Sequence, residues 1–288
     1  MNTILRRWRD LPRDPDETLF DREAVGDRGA RAATLAEVLP ILRGPETGAT
    51  LSQRGDVLAC EDGRTYPIIN GRPVLMRDAA LRRLQMGEAI EPPDASGDAL
   101  DQYLYLNQVK NAGGDPNSPL ADPWYRRHLH RSRRLLAEAQ GLILDVGCDD
   151  PALSRQLFPA GVDYLGLEPA LGRNPGMRLV AMAEFLPLQD ASVDGVAFLT
   201  SLDHVFDYHA AIDEAFRVLK PGGALYLGVL IWTHRAELYR DNIHFHHFRD
   251  FEIQGVLQSF QVERIDAYGW KGDAHRFGAY LRARKPRA

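Results

Sequence analysis

The stretch Leu142–Pro151, LILDVGCDDP, decides how the chain is read. Leu142, Ile143 and Leu144 form a short apolar run that ends in Asp145, and Gly147 follows. Asp150-Pro151 then has the form of a helix start, an aspartate N-cap with proline in the first helical position. An apolar strand, an acidic residue, a glycine turn and a helix make the opening unit of a doubly wound α/β domain. Ligands of such domains bind at the carboxyl ends of the strands.

Downstream of this unit the alternation is regular. Strands are expected at 142–146, 163–167, 178–182, 194–199, 223–231, 262–269 and 277–284, with helices at 151–158, 208–219 and 249–259. Strands alternating with helices imply a mostly parallel sheet covered on both faces, and two final strands with no helix between them imply an antiparallel hairpin. The expected fold is α/β: a Rossmann-like, seven-stranded, doubly wound sheet with an antiparallel edge hairpin.

Upstream, residues 1–37 are charged and weakly periodic, and a loosely held leader with one helix is expected there. A β-rich module follows at 38–77. Its short apolar segments, Leu51, Val57-Leu58, Tyr66–Ile69 and Pro73–Met76, are separated by Arg54-Gly55-Asp56, Asp62-Gly63-Arg64 and Asn70-Gly71. The Asn-Gly pair is a strong signal for a tight hairpin turn. Residues 78–124 contain Glu91-Pro92-Pro93 and Ser96-Gly97, which read as a linker, and a helix from Asp98 that supplies Tyr103 and Tyr105. A helix over 124–139, carrying Trp124 and Tyr125, leads into the main domain, 125–288. It buries Leu129, Leu136 and Ala139, and Arg126, Arg127, Arg131, Arg133 and Arg134 are expected on its solvated face.

The net charge of -5 gives no electrostatic footprint for general nucleic-acid binding. Two cysteines, Cys60 and Cys148, fall in different units, which argues against a disulfide framework and fits a reducing compartment. The N-terminus has no apolar core of signal-peptide length, and the longest apolar run, Ala224–Trp232, suits a central strand rather than a membrane span. A cytoplasmic protein is expected.

The main domain carries an ordered series of motifs. Asp145-Val146-Gly147-Cys148 closes the first strand and Glu168-Pro169 the second. Ala183-Glu184-Phe185-Leu186-Pro187 follows the third, Asp190–Asp194 leads into the fourth, and RVLKPGG, 217–223, turns into the fifth. In order and spacing, residues 125–284 resemble a class I S-adenosylmethionine-dependent methyltransferase of the small-molecule type. The resemblance implies that S-adenosylmethionine is held by Asp145, Gly147, Cys148, Asp149, Glu168, Pro169, Ala183, Glu184 and Thr200. Chemistry supports one of these independently: an acidic side chain ending the second strand, about twenty residues past the first turn, suits a ribose. The chain departs from the family at the first turn, where Asp149 and Pro151 replace glycines, and at Met182, where many relatives carry an acidic residue. Asp149 and Asp150 disfavour a dinucleotide, whose pyrophosphate they would repel.

Residues 38–77, with YPIINGRPVLM at 66–76, resemble the small zinc-ribbon-like family that includes the activator subunit of tRNA methyltransferases. That family binds zinc through two cysteine pairs. Here the first pair is missing and only Cys60 remains of the second, so a metal-free packing module is expected.

For the reacting end, Thr200-Ser201-Leu202-Asp203-His204 follows the fourth strand. His204, with Asp203 beside it, is the candidate general base, or else packs against the cofactor. His244, His246 and His247 follow the fifth strand without a carboxylate nearby in sequence, and are read as pocket lining rather than metal ligands. The function expected is methyl transfer to oxygen or nitrogen of a small-molecule or sugar-containing acceptor, with no metal. The alternative is a catalytically silent subunit that binds another protein, or a second copy of itself, through the N-terminal module.

Overall fold

The computed structural model of the chain describes residues 18–21, 29–77, 123–171, 176–232, 244–269 and 276–287. Tyr103, Tyr105, the helix expected from Asp98 and the side chain of Trp124 lie outside the described residues.

The central sheet is built from β6 (Gly141–Val146), β7 (Val162–Glu168), β8 (Arg178–Val180), β9 (Val193–Leu199), β10 (Leu219–Trp232), β11 (Gln261–Gly269) and β12 (Arg276–Arg284). Each of the seven expected strands is present. β7, β6, β9 and β10 run parallel, and β10, β12 and β11 are antiparallel neighbours. The sheet has one strand more than expected, because β1 (Arg31–Ala32) pairs in parallel with Asp163 and Tyr164 of β7. β1 and β8 share one edge of β7, β1 on its first half and β8 on its last.

Alternation along the parallel strands sorts the core into two layers. Leu144, Val146, Leu165, Leu167, Val196 and Phe198 face one way, together with Ala211, Ile212 and Ala215 of α4 (Tyr208–Val218) and Ile253 of α5 (Asp250–Val256). Ile143, Tyr164, Ala197 and Tyr226 face the other way, against Leu129 and Leu135 of α2 (Pro123–Leu135) and Leu153 of α3 (Pro151–Ser154). α2, expected to run to 139, ends at Leu135; Leu129 on it, and Leu136 and Ala139 just past it, are buried as expected, but its arginine face is not uniformly solvated. Arg131 is 5% exposed and stacks its guanidinium 4.6 Å above the Tyr268 ring. The aromatic face and the nearby sheet edge take a charge that sequence reading had assigned to water.

The N-terminal sheet is antiparallel, in the order β2 (Leu51–Arg54), β3 (Val57–Cys60), β4 (Thr65–Ile69) and β5 (Arg72–Pro73). The β4–β5 turn is the expected Asn70-Gly71, with φ of 51° and 76°. Positive φ at both central positions is what a two-residue hairpin of this hand requires. This sheet does not stand apart from the main one. Leu42, Leu58, Tyr66 and Leu75 belong to the same apolar cluster as the central strands. Just after β5, Val74 bridges Val180 in parallel and the Leu75 amide donates to the Val180 carbonyl at 2.8 Å. The module thereby extends the β8 edge within its own chain.

Candidate functional site

The site forms where β6, β7 and β9 end. Gly147 turns the chain at φ 80°, and a Cβ there would lie 2.3 Å from the Ser201 Cβ, so this turn accepts glycine only. Asp149 takes a glycine-like φ of 45°. The Asp150 side chain accepts from the Ala152 amide at 2.9 Å and Pro151 occupies the first helical turn, as expected from the sequence. The departures from a glycine-rich turn therefore leave its backbone path intact. What supports Asp149 is Arg178 on β8, only 1% exposed, whose guanidinium donates to the Asp149 carbonyl and also to those of Ala170 and Leu171.

Glu168 stands half-buried at the end of β7, and its Oε2 accepts from the Asp149 amide at 3.2 Å. Pro169 follows it at the rim. These positions fit a ribose held at a strand end beside a narrow turn. Asp145 and Cys148 are placed differently. Asp145 is 2% exposed and accepts from the Tyr164 hydroxyl at 2.8 Å; burial pushes its pKa to about 7 although that bond holds it down. Cys148 is equally buried, its thiol pushed up by burial, and its sulfur closely approaches Gly166. Both sit beneath the turn.

Ala183 and Glu184 lie in the short turn after β8, both buried. Glu184 accepts from the Phe206 and Asp207 amides at 2.6 and 3.0 Å, so it fixes the loop that leads into α4. Thr200 adopts φ 59° and its amide donates to the Gly228 carbonyl at 2.7 Å. Two non-glycine residues in the left-handed region, Asp149 and Thr200, thus flank the same crevice, where strain is held in place by surrounding bonds.

Asp203 and His204 form a 3-10 turn after β9. The structure joins this turn to the second histidine cluster. The Phe245 and His246 amides donate to the Asp203 carbonyl at 2.9 and 3.2 Å, and the His204 and His244 rings stack with centroids 4.7 Å apart. Asp203 is the carboxylate that His244 lacks in sequence: its Oδ2 lies 3.8 Å from His244 Nε2 and its Oδ1 3.9 Å from His204 Nε2. His246 is engaged elsewhere, with Nε2 2.9 Å from the Val205 carbonyl.

A buried histidine on α2 escaped the sequence reading. His128, 3% exposed, lies 2.9 Å through Nδ1 from the Tyr280 hydroxyl and 3.2 Å through Nε2 from that of Ser132. Burial depresses its pKa to about 4, with the Asp203 charge acting in the opposite sense and Arg131 in the same. The only hint in sequence was its i,i+4 relation to Ser132 on the helix. The unfolded chain takes this proton near pH 6.5 and therefore binds more protons than the folded chain between that value and about 4. Stability is expected to be lost as pH falls through this window, by about 3 kcal/mol from this group. Urea titrations at both ends of the window should show a flatter acid limb for His128→Gln. Identical slopes in the two proteins would show that the ring is already charged in the fold. Tyr125, half-buried near the turn, is pushed to about 12 by burial and by Asp149, Asp145 and Asp150, so it stays protonated.

The doubly wound topology, the glycine turn and the strand-end acid follow the pattern of α/β domains whose ligands bind at the carboxyl ends of the strands. Residues 144–227 match the family model described as a methyltransferase domain. The chain is 33% identical over 110 residues to a probable S-adenosylmethionine-dependent methyltransferase of Mycolicibacterium smegmatis, covering 35% of this chain and 42% of that protein. It is 34% identical over 101 residues to a ubiquinone biosynthesis O-methyltransferase of Xylella fastidiosa, covering 31% of this chain and 41% of that protein. A ubiquinone/menaquinone biosynthesis C-methyltransferase of Geobacter sulfurreducens matches at 28% over 193 residues, 62% of this chain and 72% of that protein. The chain thus spans about two fifths of the first two of these relatives. Among the described residues no helix is long and apolar enough to cross a membrane.

Proposed function

We propose that the chain transfers a methyl group from S-adenosylmethionine to a small-molecule acceptor. The observation that carries this reading is the placement of Glu168 at the end of β7 beside the Gly147–Asp149 turn, with the Asp203–His204–His244 cluster beyond the end of the neighbouring strand β9. When bound, the cofactor supplies an electrophilic methyl group on a positively charged sulfur. Glu168 holds the ribose hydroxyls. The backbone at Gly147 and Asp149 lets the methionine part approach closely, and Thr200 lines the crevice from β9. Pro169 and Ala183 border the base, with Met182 where many relatives carry an acid. Asp145, Cys148 and Glu184 act from behind by shaping the turns. His204, steered by Asp203, receives the acceptor at the reacting end, and most of the rate gain comes from placing acceptor and methyl group in line.

The relatives named for O- and C-methylation in quinone biosynthesis support an aromatic, hydroxyl-bearing acceptor. The exposed rings of Phe206 and Phe245, each next to a turn of the cluster, offer such a molecule an apolar surface. Asp149, at φ 45°, adopts the left-handed conformation that favours glycine, which supports the methyltransferase reading over the silent-subunit one.

The experiment is calorimetry with S-adenosylhomocysteine. The wild-type chain should bind it, and Glu168→Ala should bind about 10- to 150-fold more weakly, the equivalent of charge-assisted hydrogen bonds worth about 1.5–3 kcal/mol. No binding heat from the folded wild-type chain at high ligand concentration would overturn the methyltransferase reading.

A further inference from the structure

We propose that Asp203, His204 and His244 form a two-histidine, one-carboxylate site for a divalent transition-metal cation on the acceptor side of the crevice. Sequence reading assigned no metal here, since the carboxylate and His244 lie forty residues apart. Folding brings together one ligand atom from each residue, all within 4.8 Å of one another.

The argument begins with Asp203. It is 4% exposed, and its Oδ1 has no hydrogen-bond partner. A buried carboxylate oxygen without a donor is costly, and a cation is one of the few ways to compensate it. The two imidazole nitrogens nearest to it stand at 3.8 and 3.9 Å, beyond hydrogen-bonding distance. Those separations suit ligands of one shared ion better than bonded partners. With bonds of about 2.0–2.2 Å, two ligands of one tetrahedral or facially bound cation lie about 3.0–3.5 Å apart. Closure by about 0.5–1.5 Å, through side-chain rotations of the two imidazoles and the carboxylate, completes the set.

The second element is rigidity. The Asp203 carbonyl accepts from Phe245 and His246, so the loop after β9 and the segment after β10 are tied backbone to backbone. The His204 and His244 rings stack at an interplanar angle of 28°, presenting both Nε2 atoms to the same carboxylate. His246 is engaged by the Val205 carbonyl, and among the described residues the ligand set is these three. Two histidines and one carboxylate leave coordination positions open, the arrangement that suits iron, manganese, cobalt or zinc with an exogenous oxygen ligand. An acceptor hydroxyl ligating there loses its proton more readily, as metal-bound water does. That catalytic role rests on the methyltransferase reading; the binding of the ion does not.

The test is titration of tag-free, chelator-treated full-length chain with cobalt(II), followed by its visible ligand-field absorption. One equivalent should develop a saturating band. The band should be absent from Asp203→Asn and His244→Ala and kept in His209→Ala, whose imidazole is exposed on α4. S-adenosylhomocysteine calorimetry on the same variants checks that the fold and the cofactor crevice are intact. No band in the wild type, or a band that survives Asp203→Asn, overturns the proposal and leaves the cluster an ion group of protein atoms alone. A saturating band in a chain that binds no S-adenosylhomocysteine would keep the metal site and remove the methyltransferase reading.

Discussion

Replacing Arg178 with methionine is expected to cost several kcal/mol of stability, about 1–3 kcal/mol for each buried carbonyl that loses its donor, and to weaken S-adenosylhomocysteine binding as well. The guanidinium is buried at 1% exposure and donates to carbonyls of both turns that line the crevice, Asp149 after β6 and Ala170 and Leu171 after β7. Methionine matches much of its volume but takes this donor from the Asp149 and Ala170 carbonyls, a loss of about 1–3 kcal/mol for one that is buried, while the Leu171 carbonyl keeps Arg72. Asp149 then has less to hold it at φ 45°, a conformation about 1–2 kcal/mol unfavourable for a residue with a side chain. Arg72 from the N-terminal sheet shares the work. It donates to the Leu171 carbonyl and, at 3.0 Å, to that of Gly176, so two arginines from different parts of the chain clasp one loop. Adding Asp149→Gly to Arg178→Met should recover part of the affinity, because glycine takes the turn without strain. Denaturant unfolding and calorimetry on the two variants provide the measurement. An Arg178→Met chain as stable as the wild type would show that water replaces the guanidinium at no cost.

The same arginine shows where reading from sequence stops. Strands β6 to β10 were legible because each is rich in apolar residues and bounded by turn residues, and β11 and β12 because apolar residues recur between polar ones with no helix between the two strands. The Asp150-Pro151 helix start and the Asn70-Gly71 hairpin were legible because cap and turn chemistry are local. β1 was not, since two residues that borrow their ladder from β7 leave no periodicity of their own. Arg131 was expected with its neighbours on a solvated face, and Arg178, Arg72 and His128 were not singled out, because their partners are backbone carbonyls, hydroxyls or rings that folding brings to them. The docking of the N-terminal sheet on β8 was equally hidden, since apolar residues of a small module look the same whether they pack on their own sheet or on a neighbour. In the site, Glu168 was found by its place at a strand end, and Asp203 and His204 by the loop they occupy. Their union with His244 depends on hydrogen bonds from Phe245 and His246 that only folding brings within reach.

His204→Ala is expected to lower methyl transfer by about 10²–10⁴-fold, the usual contribution of a positioned proton acceptor, with S-adenosylhomocysteine affinity nearly unchanged. Release of S-adenosylhomocysteine from the cofactor reports turnover whichever acceptor the wild-type chain accepts, so the comparison does not depend on the acceptor's identity. The split between rate and affinity matters, because an imidazole that merely packed against the cofactor would lose both together. Asp203→Asn tests the other half of the pair. The carboxylate lies 3.8 and 3.9 Å from the two imidazoles, and its neutral isostere keeps the shape while removing the charge. A loss as large as that of His204→Ala is therefore expected. His244→Ala separates the two ways the cluster can work. If His204 takes the acceptor proton alone, His244→Ala costs less than His204→Ala, since the His244 ring then supports the pair without moving the proton. If the three residues share a cation, all three substitutions lower turnover to a similar level and combine without adding, because each removes the same ion. An unimpaired His204→Ala chain would dismiss both accounts and leave placement of the acceptor over the methyl group as the whole of the catalysis.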